Sequence, residues 1–117
     1  MGRSVLLVDD SESSRVVLAL LLEDEGFQVE VAGSFKEAKA TLSRGGAWDL
    51  VVLDQQLGDG RGSDLLPLLR ERAPGARAVL VSGSTEDPAL SRAGFDAVIG
   101  KATPFPEMLA QVTRLLG

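Results

Sequence analysis

Short runs of uninterrupted apolar residues recur along the chain, at Val5-Leu6-Leu7-Val8, at Val51-Val52-Leu53 with Leu50 before it, at Ala78-Val79-Leu80-Val81 and at Ala97-Val98-Ile99. Runs this short, apolar at every position, predict strands covered on both faces, as in a parallel sheet. Val29-Glu30-Val31 alternates instead, which predicts a half-covered strand at the sheet margin.

The segments between these runs carry a helical period. Ser11 to Glu25 places Val16, Val17, Leu20 and Leu21 in helical register and stops at Gly26, a residue suited to the left-handed conformation after a helix. Ser34-Phe35-Lys36-Glu37 is a capping box, and Gly45-Gly46 closes the second helix that it opens. Leu65, Leu66, Leu68 and Leu69 predict a third helix over Ser63 to Arg72, with Pro67 near its first turn and Pro74-Gly75 ending it. A short fourth helix is expected over Pro88 to Ala93, and a fifth over Pro106 to Leu116, where Met108, Leu109, Val112, Leu115 and Leu116 form one stripe. Gly58-Asp59-Gly60-Arg61-Gly62 reads as a flexible loop, and Trp48 as a packing anchor ahead of the third strand. The order is βα repeated five times, which predicts an α/β, doubly wound fold with right-handed crossovers.

A length of 117 residues suits one domain, expected over residues 1–117. The net charge of -5 has the wrong sign for holding nucleic acid or anionic lipid, so neither is an expected direct partner. The chain has no cysteine and no histidine, which removes thiolate chemistry, disulfides, an imidazole base and His-containing zinc sites. The apolar run Val16 to Leu22 falls far short of a membrane helix, and the N-terminal run is too short for a signal peptide. The expected location is the cytoplasm.

Ligands of open α/β sheets sit beyond the carboxyl ends of the strands, so the residues just after each strand carry the candidate chemistry. They are Asp9 and Asp10, Asp54, Ser82 and Lys101, after the first, third, fourth and fifth strands. Singly, each has a plainer role: helix capping for Asp9 or Asp10, a local backbone bond for Ser82, a solvated charge for Lys101. Together they converge on one edge. Two carboxylates about 5 Å apart repel by roughly 3 kcal/mol at an effective dielectric of 20, so three of them call for a cation. Mg²⁺ fits, being hard and usually held by one or two carboxylates with water and phosphate oxygens. A cation on one side and Lys101 on the other make a pocket for a phosphoryl group, and Asp54 between them suits a carboxylate nucleophile that becomes an aspartyl phosphate. Gly58, Gly60 and Gly62 do not form a dinucleotide fingerprint, since they follow the third strand rather than the first.

Val5-Leu6-Leu7-Val8-Asp9-Asp10, Leu50-Val51-Val52-Leu53-Asp54, Gly62, Val81-Ser82-Gly83 and Lys101 together resemble the receiver domain of bacterial two-component response regulators, over about Ser4 to Leu116. The resemblance implies a CheY-like, flavodoxin-like (βα)5 fold with strand order 2-1-3-4-5. It implies that Asp54 accepts phosphate from a histidine kinase or phosphotransfer protein. Asp10, Asp54 and the backbone carbonyl of Gln56 would bind Mg²⁺ with Asp9 acting through water, Ser82 would bond the phosphoryl oxygen, and Lys101 would pair with it. It also implies an output protein, a possible phosphorylation-dependent dimer, and a partner face formed by the fourth helix, fifth strand and fifth helix with Arg92, Asp96 and Arg114. Three positions depart from the family pattern: Ala102 follows Lys101 where proline is usual, Val98 stands in place of the switch aromatic, and Gly58 stands where proline is common.

The leading expectation is a phosphorylatable signalling switch, not a conventional enzyme. The alternative is a receiver-like interaction module that no longer switches by phosphorylation, motivated by Val98 and Ala102. An aspartyl phosphatase is the third, and it lacks the acid expected two residues after the nucleophile, where Gln56 stands.

Overall fold

A computed structural model describes residues 3–83 and 94–117. Its principal strands are β1 (Ser4–Val8), β2 (Gln28–Ala32), β3 (Leu50–Asp54), β6 (Arg77–Ser82) and β7 (Ala97–Gly100). Two short strands, β4 (Gln56–Leu57) and β5 (Gly60–Arg61), form a hairpin of their own. The main sheet is parallel throughout, in the order β2-β1-β3-β6-β7. Counting the principal strands alone, this is the expected 2-1-3-4-5, with the alternating β2 at the margin as its pattern predicts.

The uninterrupted apolar runs follow from two-sided burial. Successive side chains of a strand point to opposite faces, so Leu6, Val8, Val51, Leu53, Ala78 and Leu80 enter one core. That core is closed by α2 (Phe35–Arg44), a 3-10 turn (Gly62–Leu65) and α3 (Leu66–Arg72). Val5, Leu7, Leu50, Val52 and Val79 enter the other, covered by α1 (Glu12–Asp24) and α4 (Phe105–Leu116). Trp48 is buried in the first core, its Nε1 donating to Glu30 Oε1 at 3.2 Å, so it is the packing anchor expected.

The helix signals hold in outline and shift in detail. Gly26 after α1 and Gly45 after α2 have φ of 95° and 80°, the left-handed region that glycine enters at least cost. Ser34 Oγ accepts from the Glu37 amide at 3.0 Å, but Glu37 Oε2 accepts from the Gly33 amide, one residue beyond the Ser34 amide of a reciprocal box. The expected third helix begins as a 3-10 turn before Pro67 takes its place in the first turn of α3. The fourth helix expected over Pro88 to Ala93, with Arg92, lies outside the described residues. No helix among the described residues is long and apolar enough to cross a membrane.

Two expectations are corrected. Gly58-Asp59-Gly60-Arg61-Gly62 is not a flexible loop: Leu57 pairs with Gly60 and Gln56 with Arg61, and Asp59 accepts from the Phe35 and Lys36 amides at 2.8 and 3.0 Å. The local glycine content hid a hairpin whose partner lies at the start of α2. The Val16, Val17, Leu20, Leu21 stripe of α1 faces outward, with Val17 56% and Leu20 61% exposed. Val16 to Leu22 is apolar all the way round the helix, and the sheet covers only the side that carries Leu18, Ala19 and Leu22.

Asp96, expected on a partner face, is exposed and is also held by the Ala78 amide at 2.7 Å and by Arg70 at 3.1 Å, tying the start of β7 to α3 and β6. Arg114 remains exposed in the last turn of α4.

Candidate functional site

The sheet register gathers the candidate residues. Val8 pairs with Leu53, so Asp9 and Asp54 leave their strands at the same level; Ser82 pairs with Gly100, and the Lys101 amide donates to the Ser82 carbonyl at 3.0 Å. The carboxyl edge therefore carries Asp9, Asp10, Asp54, Ser82 and Lys101 together.

Neither Asp9 nor Asp10 caps α1 in the ordinary way. Ser11 is the residue at the N-cap and its side chain makes no capping bond. Asp9 Oδ1 accepts from the Ser11 amide at 2.9 Å, and Asp10 Oδ2 accepts from the Gly58 amide at 3.1 Å. Asp54 is buried, 6% exposed, and its Oδ1 accepts from the Gln56 amide at 3.1 Å. Lys101 Nζ lies 3.1 Å from that same oxygen. Ser82 is buried at the end of β6. Gln56, expected to offer its carbonyl to a cation, sits in β4 beside Asp54.

One carboxylate oxygen each of Asp9, Asp10 and Asp54 lies within 4.8 Å of the others. Three carboxylates face one ammonium here, so the edge keeps an excess of negative charge. Burial pushes the Asp9 carboxyl above its ordinary range; the Ser11 amide opposes this, the charges of Asp54 and Asp10 add to it, and Lys101 opposes it again. A carboxyl raised in the folded state binds more protons than in the unfolded chain. Its contribution to stability is thus lost as pH rises from the ordinary carboxylate value through the raised one. Above that raised value, ionised Asp9 is a cost to the metal-free fold. Asp9→Asn is accordingly expected to raise the melting temperature of the metal-free protein by a few degrees and to weaken Mg²⁺ binding, compared by thermal unfolding with and without Mg²⁺.

The donor set fits a hard divalent cation: all three groups are carboxylates, close enough for one ion, with no soft or imidazole ligand beside them. A groove of about 510 Å³ opens from Asp54 and Lys101 and runs between α1 and α4, past Val17, Leu21, Phe105 and Met108.

The family pattern described as the response regulator receiver domain matches residues 5–113. The chain belongs to this family. Among curated relatives of receiver proteins, it is 34% identical over 115 residues to the alginate biosynthesis transcriptional regulatory protein AlgB of Pseudomonas aeruginosa, covering 95% of this chain and 25% of that protein. The chain spans from about a quarter to under half the length of the curated relatives it matches first. A response regulator protein of Burkholderia pseudomallei, solved with a phosphorylated aspartic acid, calcium ion and citrate, is 25% identical with a TM-score of 0.84, covering 93% of this chain and 65% of that one. TrrA of Thermotoga maritima, solved with Mg²⁺-BeF, is 26% identical with a TM-score of 0.84, covering 97% and 98%. The fold is thus that of a CheY-like receiver, and its carboxyl edge carries the acidic cluster of Asp9, Asp10 and Asp54.

Several contributors to this receiver's edge were not visible in its sequence, because their bonding partners are backbone atoms. Arg15 Nη1 donates to the Asp9 carbonyl at 2.9 Å from the first turns of α1. Gln55 closes the base of the hairpin: its carbonyl accepts from Gly62 at 3.0 Å and its Oε1 from the Ser63 amide at 2.8 Å. The nearest signal was the position of Arg15, one helical turn beyond Ser11, which aims its side chain back over the strand end.

Proposed function

We propose that this chain works as one receiver domain that accepts a phosphoryl group on Asp54 from a histidine kinase or phosphotransfer protein and changes its binding to an output partner. The observation that carries this is the buried Asp54 carboxylate, paired with Lys101 at 3.1 Å and crowded by Asp9 and Asp10 at the open edge of the sheet. Mg²⁺ bound by Asp10, Asp54 and the Gln56 carbonyl, with Asp9 through water, would neutralise charge on the transferring phosphoryl oxygens. The ionised Asp54 needs no general base: its oxygen forms the new bond to phosphorus while the donor's bond breaks and the leaving group keeps the electron pair. Lys101, released from Asp54 Oδ1, pairs with a phosphoryl oxygen, and the Ser82 hydroxyl donates to another. Val98 is partly buried against the α2 and α3 core and has no ring to rotate, so a switch here would act without an aromatic rotamer.

The exposed stripe of α1 supports a protein donor. Val17 and Leu21 line the groove that opens on Asp54, and Val16 and Leu20 extend it outward. A helical protein seated there would bring a phosphohistidine to the edge. Leu20→Asp is expected to slow transfer from a phosphorylated protein donor by at least about tenfold, the cost of a charge in a buried contact. The same variant should react with acetyl phosphate at the parent rate. Equal slowing with both donors would contradict this docking role.

A further inference from the structure

The β4–β5 hairpin touches the acidic edge on one side and α2 on the other. At its tip the Gly58 amide donates to Asp10 Oδ2 at 3.1 Å. The next residue, Asp59, accepts from both the Phe35 and Lys36 amides at the start of α2, at 2.8 and 3.0 Å. Phe35 lies against Gly60 so closely that a side-chain carbon there would fall 2.6 Å from its ring. The base of the hairpin is fixed to the sheet: the Gln55 amide donates to Val81 at 2.9 Å, and Gly62 donates to Gln55 at 3.0 Å. The bonds that hold the base therefore run to the sheet, and those that hold the tip run to Asp10 and α2.

We infer that the Gly58 amide is a built-in competitor for the cation at Asp10, so that metal entry loosens the hairpin tip and Asp59 passes the change to the start of α2. The inference rests on the metal role of Asp10 in the proposed function. An amide hydrogen and a metal ion both bring positive charge to the carboxylate. A divalent ion held by Asp10 would compete with the Gly58 amide for the same carboxylate. In the absence of the ion, the amide partly satisfies Asp10 and holds the tip in place. The sequence makes this possible because Gly58 has an N–H to donate; a proline there would have none. The coupling reaches α2 because Asp59 is the loop residue adjacent to Gly58 and holds two of the helix's free N-terminal amides.

The test is a Mg²⁺ titration followed by amide NMR on the wild-type protein, Gly58→Pro, Gly58→Ala and Asp59→Ala. In the wild type, the Gly58, Phe35 and Lys36 amides should shift together with one dissociation constant. Gly58→Pro should bind Mg²⁺ about tenfold more tightly, having lost a hydrogen bond to a charged group. Gly58→Ala keeps the donor, and its added carbon meets Asp10 Oδ2 at an ordinary 3.6 Å, so its affinity should match the wild type. Asp59→Ala should keep the Gly58 response and lose those of Phe35 and Lys36. If Asp9 and Asp54 amides saturate while Gly58, Phe35 and Lys36 stay still, or Gly58→Pro binds no more tightly, the inference is overturned and the metal site stands. If no amide of any variant responds saturably, the metal role itself fails, and the inference with it. Should Gly58→Pro not fold, the wild-type and Asp59→Ala titrations decide.

Discussion

Gly62→Ala is expected to lower the melting temperature by about 10 °C and to impair phosphorylation of Asp54 in the molecules that still fold. A side-chain carbon at position 62 would lie 2.3 Å from the Asp54 carbonyl oxygen and 3.0 Å from its carbonyl carbon. Both are backbone atoms of a central strand, and β3 is paired on either side by β1 and β6, so neither can yield cheaply. The Gly62 amide also donates to Gln55 at 3.0 Å, which fixes the separation from inside. Overpacking a rigid site of this kind costs about 2–3 kcal/mol. The strain falls on Asp54, the proposed acceptor, so stability and acceptor activity should fall together. Gly75→Ala is the control: nothing lies within 4 Å of the added carbon, and its expected effect is near zero or slightly stabilising. Thermal unfolding of both variants, beside the rate of acetyl phosphate labelling, separates the two. A Gly62→Ala protein as stable and as reactive as the parent would mean that this approach does not constrain Asp54.

Lys101→Ala is expected to slow phosphoryl acceptance by about 100-fold, the cost of removing one fixed donor of charge stabilisation from a reacting site. Lys101 Nζ is 3.1 Å from Asp54 Oδ1 and its side chain is 42% exposed, so it can follow the transferred group while Asp54 stays buried. Its ammonium opposes three carboxylates, and its loss leaves the edge wholly negative. Mg²⁺ affinity should therefore hold or increase while the transfer rate collapses, a split that a general loss of structure would not produce. Lys101→Arg restores charge but with a planar fork in place of a compact ammonium, and should recover only part of the rate. Single-turnover labelling at saturating Mg²⁺, with affinity measured separately, distinguishes these outcomes.

The sheet was legible because its strands are buried on both faces, which leaves short uninterrupted apolar runs such as Leu50 to Leu53, of strand length and spaced between segments of helical period. The candidate residues were legible for a related reason. A parallel sheet sends all its strand ends to one edge, so Asp9, Asp54, Ser82 and Lys101 had to meet once the strands were placed. What escaped is of two kinds. The α1 stripe was misleading because seven consecutive apolar residues define no single inward face, and only packing against β2 and β1 selects Leu18 and Leu22. The hairpin escaped because Gly58, Asp59 and Gly60 carry the composition of a loop, whereas their order comes from distant partners: the Asp10 carboxylate, the free amides of α2 and the Phe35 ring. Gly62 could be noted by position, but its reason, the Asp54 carbonyl 2.3 Å from where a side chain would begin, is a matter of backbone approach.

The central claim is that Asp54 is the phosphoryl acceptor and that its acidic neighbours hold the required cation. Intact-protein mass spectrometry after incubation with Mg²⁺ and acetyl phosphate tests it most directly, run beside Asp54→Asn and a metal-free sample. One added phosphoryl group, absent from both controls, is the predicted result. Equal labelling of Asp54→Asn, or no labelling of the parent while it binds Mg²⁺ and a phosphorylated donor protein is also present, would contradict it and leave an interaction module that does not switch by phosphorylation.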